Sequence, residues 1–313
     1  MGENTRSMTQ RAKPLTGGEG LCIPAGKLPG ILSLLDASGF DGEAIVKSCG
    51  IDPATRCEPD GHIPLKAWVE LFRRAALLLK DPDLGLHQGE HFQGMPTMLG
   101  YLLCACGTLD EALGKYIRYQ RLEQEGWQLL QHRDGNRVKL EYRASHTIAL
   151  DRHMIDFALA CFAGQYRLLS GQQLDICEVH FTYPEPSDVS EHRRVFRAPL
   201  HFRSSRNAIA CPASALVQPL LKANPAVRDQ LEQPLLRALA ALQMHEPVSI
   251  RIARVLGTNL HDGVPELQTV AKSLGLGSRN LQMRLKQEGT TFQKVRESVR
   301  QGLAREYLSD PGM

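Results

Sequence analysis

The chain has no run of about eighteen apolar residues, so nothing in it is expected to span a membrane. Its start, Met1–Gly20, lacks the apolar stretch of a secretory signal and reads as a polar, disordered leader over residues 1–22. None of the eight cysteines forms a Cys-x-x-Cys pair, and several lie in apolar runs such as Leu102–Ala105 and Ala158–Phe162. Buried, reduced thiols in a cytoplasmic protein are the expectation. There is no Walker loop and no Gly-x-Ser-x-Gly elbow, and Gly275-x-Gly277 follows no strand, so it is no nucleotide loop. Carboxylates such as Glu123 and Glu125 show no pairing for acid/base work, and His153 with Asp156 has ordinary helix-surface spacing. His87 and His91 stand four apart, but no third ligand follows, and Gly85 and Gly89 are expected to interrupt that helix. No catalytic residue, metal or cofactor is therefore expected. The chain also lacks a strong charge surplus, at +3 overall.

What is present fits two domains, since 313 residues can bury two cores. The stretch from about 25 to 122 reads mainly as helix, with Pro64–Lys80 the clearest amphipathic piece. Thr108-Leu-Asp-Glu111 has the form of a capping box and opens a helix running to about Leu122. Trp127–Gln131 and Arg137–Tyr142 flank Asp134-Gly135-Asn136, a hairpin signal. A helix from about Leu150 to Leu169 follows. Strands are expected at Glu178–Tyr183, His201–Arg203 and Ala208–Cys211, and helices at Ala213–Leu221 and Val227–Gln243. This order gives an α+β domain over 23–243, with a second domain over 246–313 opening on a helix at Val248–Leu260.

The second domain holds the sharpest pattern. Glu266–Leu274 puts Leu267, Val270, Ala271 and Leu274 on one helical face, and Gly275-Leu-Gly277 then breaks the helix. Ser278–Glu288 opens another helix, burying Leu281 and Leu285 and turning Arg279, Gln282, Met283 and Lys286 outward. A short helix, a glycine turn and a basic helix suit insertion into the major groove of DNA. Residues 246–313 hold ten Lys/Arg against seven Asp/Glu, so the whole positive surplus lies beside that helix.

Val270-Ala271, Leu281-Gln282-x-Arg284-Leu285 and Glu288-Gly289-Thr-Thr-Phe292, with Arg300, Ala304 and Leu308 at spacing four, resemble the DNA-binding domain of AraC-type transcription regulators. Upstream, Asp81-Pro-Asp-Leu-Gly-Leu86, Thr108-Leu-Asp-Glu-Ala112 and Tyr116-Ile-Arg-Tyr119 look like the arabinose-binding-type N-terminal effector domain of some of these regulators. Val179-His-Phe181, Phe196-Arg-Ala-Pro199 and Phe202 extend the match. The resemblance implies an α+β effector and dimerisation domain followed by an all-α helix-turn-helix domain. Two residues depart from the family pattern: Gly277 stands where a serine is usual, and Met283 where arginine is common. The sequence also stops at Asp310-Pro-Gly-Met313, where the family's second helix-turn-helix would begin, so that second unit is expected to be absent from it, by natural truncation or because the sequence is a fragment.

Arg279, Gln282 and Met283 are the expected base readers: the first two can offer paired hydrogen bonds to a purine edge, and the thioether can touch a thymine methyl. Lys272, Ser278 and Lys286 are expected to meet phosphates, while Arg300 can meet a phosphate or pair with a carboxylate. The resemblance also implies an effector pocket where helices meet the sheet, with Tyr101, Tyr119, Trp127 and His180 as lining candidates. Expected partners are promoter DNA, a small-molecule effector, a second copy of the chain and RNA polymerase, with activation the usual output. The competing reading is a truncated ligand-binding protein that no longer reads DNA and modulates a full-length relative through mixed dimers.

Overall fold

The computed structural model describes residues 22–57, 61–94, 97–123, 127–144, 151–245, 247–258 and 265–308. Of the leader expected over 1–22, residues 1–21 lie outside them, while Cys22 already belongs to a strand; Glu125, the start of the expected helix at Leu150 and the end of another at Leu260 also lie outside. Two compact units divide at Leu239 and Ala240.

The first unit opens with a small antiparallel pair, β1 (Cys22–Pro24) against β2 (His62–Pro64). Between and after these strands come α1 (Leu28–Ala37), α2 (Gly42–Ser48), α3 (Leu65–Leu79), α4 (Leu84–Glu90), α5 (Met98–Ala105) and α6 (Leu109–Tyr119). At the start of α6 the Thr108 hydroxyl accepts from the Glu111 amide at 3.2 Å, and the Glu111 carboxylate accepts from the Gly107 amide at 2.8 Å. The hairpin β3 (Trp127–Asp134) and β4 (Arg137–Ala144) turns on Gly135 and Asn136, with Gly135 at φ 53°. Next come α7 (Arg152–Ser170), β5 (Glu178–His180), α8 (Ser190–Phe196), β6 (Leu200–His201), β7 (Asn207–Pro212), α9 (Ala213–Leu216) and α10 (Pro225–His245).

The large sheet runs β3-β4-β7-β5-β6, antiparallel except for the parallel β5–β6 pair at its edge. Its inward Leu129, Val138, Leu140, Val179 and Ile209 pack with Leu159, Phe162 and Tyr166 of α7 and Leu109 and Leu113 of α6. A second cluster joins Leu28, Leu35, Trp68 and Phe72 to Trp127 and Phe157. The strands β5 and β6 are shorter than expected: Arg203 turns out of the sheet at φ 54°. The helix expected over Ala213–Leu221 ends at Leu216, and α8 was not anticipated.

Two expectations are corrected here. Gly85 and Gly89 do not interrupt a helix: both lie inside α4, where they let its backbone touch α7. A Cβ at Gly85 would sit 2.3 Å from the His153 carbonyl oxygen, and one at Gly89 2.5 Å from that of Phe157. Gly164 of α7 makes the reciprocal approach, 2.5 Å from the Glu90 oxygen. Nor is Asp156 a surface residue. It is fully buried, where it pairs with Arg152 and accepts a hydrogen bond from the Tyr183 hydroxyl.

The second unit holds α11 (Val248–Thr258), α12 (Leu267–Ser273), α13 (Ser278–Gln287) and α14 (Phe292–Leu308). Val248, Ile252 and Leu256 meet Val270, Ala271, Leu281, Leu285 and Val295 in one core. The Glu288 carboxylate, just past α13, accepts from the Val248 and Ser249 amides and so satisfies the opening donors of α11. Burial pushes that carboxyl up, but these hydrogen bonds outweigh it and hold it below the usual glutamate range.

Candidate functional site: an apolar cavity and an exposed basic helix

Within the first unit lies a cavity of about 990 Å³, walled by α3, α5, α6, α7 and the β3–β4 hairpin. Its lining is aromatic and aliphatic, with Phe72, Tyr116, Trp127 and Phe157 prominent, and a few polar groups interrupt it. Lys27, which precedes α1, places its ammonium 5.1 Å from the Trp127 ring centroid and 5.5 Å from that of Phe157. Among the described residues it forms no ion pair, and burial pulls its pKa below the usual lysine value. The Glu123 carboxyl, also in the lining, accepts from the Thr97 hydroxyl and is pushed up by burial. Trp68 lines the same space, and among the described residues its buried indole N–H has no hydrogen-bond partner. The cavity therefore offers a cation that no direct ion pair satisfies, with the Glu123 carboxyl acting on it from a distance, within a largely apolar wall.

Of the four lining candidates, the structure brings two to this cavity. Trp127 forms part of its wall, and Tyr101 lies at its edge, 59% exposed. Tyr119 and His180 do not line it. Tyr119 is fully buried and turns away to α10, where its hydroxyl donates to Glu232 at 2.9 Å. His180 sits on β5, at the far edge of the sheet. Sequence reasoning missed Lys27, Trp68 and Glu123, which come from segments nearly a hundred residues apart. A lysine beside Gly26 in an otherwise apolar stretch was the one available signal.

In the second unit, Arg279, Gln282, Met283 and Lys286 form one exposed stripe on α13, opposite the buried Leu281 and Leu285. Lys272 is exposed on α12, and Ser278 is half-buried in the first turn of α13. The turn between the helices uses Gly275 at φ 66°, a left-handed conformation that glycine adopts without strain. Gly277 is the N-cap of α13, which therefore opens without a side-chain cap, and Ser278 does not replace one. Arg300 lies 3.9 Å from Glu297 on its own helix, a loose, exposed pair.

No helix among the described residues is long and apolar enough to cross a membrane. His87, one of the spaced histidines, has both ring nitrogens engaged by carboxylates, Asp81 at 2.8 Å and Glu191 at 2.9 Å. Those contacts push its pKa up to about 9.

A mixed α+β unit enclosing a ligand-sized cavity, with a helical unit presenting an exposed basic helix, defines a ligand-responsive DNA-binding regulator. Residues 39–220 match the family described as the arabinose-binding domain of AraC transcription regulator, N-terminal, and the chain belongs to this family. It is a transcription regulator and not an enzyme. It is similar to the ornithine utilization regulator of Pseudomonas aeruginosa, at 27% identity over 92% of this chain and 85% of that protein. Similarity extends to the HTH-type transcriptional regulator VirS of Mycobacterium tuberculosis, at 23% identity over 94% of this chain and 87% of that protein. Among solved structures, the transcriptional regulator CdpR from Pseudomonas aeruginosa aligns over 92% of this chain and 87% of that one, at 21% identity and a TM-score of 0.49.

Proposed function

We propose that the 990 Å³ cavity is the effector seat and that its ligand bears a carboxylate on an apolar body. The observation behind this reading is Lys27, a half-buried lysine in the cavity lining whose ammonium has no ion-pair partner among the described residues and whose pKa desolvation pulls down. Glu123 acts on Lys27 across the cavity but makes no direct ion pair with it, so the cost of burying the ammonium is only partly met, and an incoming carboxylate offsets the rest. The Pseudomonas relative is named for ornithine utilization, and an amino acid would bring an ammonium for Glu123 as well as a carboxylate for Lys27.

The domain bounds 23–243 and 246–313 belong to the same proposal. In it the protein works in the cytoplasm as a homodimer: Arg279, Gln282 and Met283 read bases, and Lys272, Ser278 and Lys286 hold phosphates. Effector binding shifts the population toward a dimer whose recognition helices match half-site spacing. The output is activation, through RNA polymerase bound beside the operator.

The test is a panel of carboxylates, amino acids including ornithine, and neutral analogues, read by thermal unfolding of wild type, Lys27→Met and Glu123→Gln. A ligand at a hundred times its Kd stabilises the folded state by about 2.7 kcal/mol. The reading expects a carboxylate to do so in wild type and not in Lys27→Met. Sensitivity to Glu123→Gln separates amino acids from simple acids. Stabilisation only by neutral compounds, or one untouched by Lys27→Met, contradicts the proposal.

A further inference from the structure

At the far edge of the sheet, away from the cavity lining, Glu178, His180 and His201 bring one ligand atom each within 4.8 Å of one another. The fold makes this meeting. Glu178 and His180 are two apart on β5, so both point to the same face. His201 is the register partner of His180 on the parallel strand β6, and the two rings stack at 4.7 Å with 21° between their planes. Nothing in the sequence spacing joins them, because the helix α8 intervenes.

The hydrogen bonds around Ser204 favour one tautomer of a neutral His180. The Ser204 hydroxyl donates to the His201 carbonyl at 3.1 Å, which leaves its oxygen as an acceptor. That oxygen lies 3.2 Å from His180 Nδ1, so Nδ1 is the protonated nitrogen of the neutral ring. Nε2 then presents a lone pair. It is buried and lies 3.2 Å from a Glu178 oxygen, close enough for the two groups to act strongly on each other but out of line for a well-formed hydrogen bond. Two acceptors at that distance repel unless a proton or a metal cation sits beside both, and the out-of-line approach suits a cation shared by the two better than a proton between them.

We infer that Glu178, His180 and His201 form a binding site for a divalent transition-metal ion of the zinc class. Ligands held about 2.0–2.1 Å from a tetrahedral ion lie roughly 3.3–3.4 Å apart without pointing at each other. The Nε2 to Glu178 pair already has that relation. His201 Nε2 lies 3.9 Å from the second Glu178 oxygen and is half-exposed, so a small movement of its ring closes the set. The fourth position is open to water. Two imidazoles and one carboxylate favour zinc, cobalt or nickel over calcium or magnesium. Ser204 is the outer partner that orients His180, as ligating histidines commonly require. Lys139, on the same row of the sheet across Ala210, opposes the ion by charge and limits its affinity. An ion here would tie the two-residue strand β6 to β5.

The test uses the full chain, stripped with chelator and kept reduced, titrated with Zn²⁺ against a chromophoric chelator and with Co²⁺ as a spectroscopic probe. Wild type should take up one equivalent, and Co²⁺ should give tetrahedral d–d bands without a thiolate charge-transfer band. His201→Ala should weaken Zn²⁺ binding more than a hundredfold, and Ser204→Ala by about 10–100-fold. His201 is exposed, so its variant should keep the wild-type circular dichroism. Equal binding by wild type, His201→Ala and Glu178→Gln overturns the site, as does a thiolate band, which would assign the metal to the cysteines.

Discussion

Gly89→Ala and Gly114→Ala make the same substitution inside two helices of one unit, and the structure gives them opposite signs. Alanine in place of glycine within a helix stabilises by up to about 1 kcal/mol, because the unfolded chain loses freedom. At Gly114 of α6 a new Cβ meets nothing within 4 Å, so the gain should appear nearly whole. At Gly89 the Cβ would lie 2.5 Å from the Phe157 oxygen, 2.9 Å from the Ala160 Cβ and 3.0 Å from the Cys161 amide nitrogen. Ordinary contact is about 3.5–4.0 Å, so α4 and α7 must separate by roughly 1 Å. The obstacles are backbone and a short side chain, none of which can swing aside. Overpacking of this kind costs about 1–3 kcal/mol, occasionally more, which offsets the helical gain and leaves a net loss of up to about 2 kcal/mol. Both tryptophans, Trp68 and Trp127, are buried in the first unit, so tryptophan fluorescence in urea follows that unit alone. The Gly89 variant should unfold at lower urea than wild type and the Gly114 variant at higher. A Gly89→Ala protein as stable as Gly114→Ala would refute the close α4–α7 contact, and with it the placement of Phe157 and Cys161 in the cavity wall.

Other consequences can be measured separately. Asp81 and Glu191 raise the His87 pKa to about 9 from an unfolded value near 6.5, so this stabilisation is complete below about pH 6.5 and lost as pH rises through about 9. His87→Gln should flatten the pH dependence of the first unit's unfolding across that window; an unchanged slope would exclude the ion pairs. The depressed Glu288 carboxyl acts in the opposite sense: its contribution is present above about pH 4.3 and lost as pH falls through the lower folded value. Glu288→Gln should cost about 1 kcal/mol after solvent screening, seen as roughly fivefold faster amide exchange in α11, with the cavity unit unaffected. In DNA binding, Lys286→Ala should weaken all sequences alike and lower the salt slope, whereas Arg279→Ala should cost about 1–3 kcal/mol at one base position.

The sequence was most readable where a helix has one wet face. The periodicity of Val270, Ala271, Leu281 and Leu285 located the helix-turn-helix, because a short helical unit has only one way to bury that stripe. Asp134-Gly135-Asn136 likewise marked a hairpin, since few residues other than glycine suit its turn. Gly85 and Gly89 were misread because a helix-breaking glycine and a close-packed one look alike until the neighbouring helix is placed. The cavity and the His180–His201 pair were illegible for a related reason. Lys27, Trp68 and Trp127 meet only through tertiary packing, and His201 reaches His180 only because β6 joins the sheet edge in parallel. Tyr119 and His180 carry ring side chains suited to a pocket wall, but residue type does not say which way such a ring turns.

If α13 reads DNA sequence as proposed, its base-facing side chains are what select a site. The direct measurement is selection of genomic fragments by the purified 313-residue protein beside the Arg279→Ala/Gln282→Ala double variant, at physiological salt. Wild type should enrich a shared sequence that the variant loses, and the variant's remaining binding should depend on salt alone. The same enrichment by both proteins, or none by either, would contradict it.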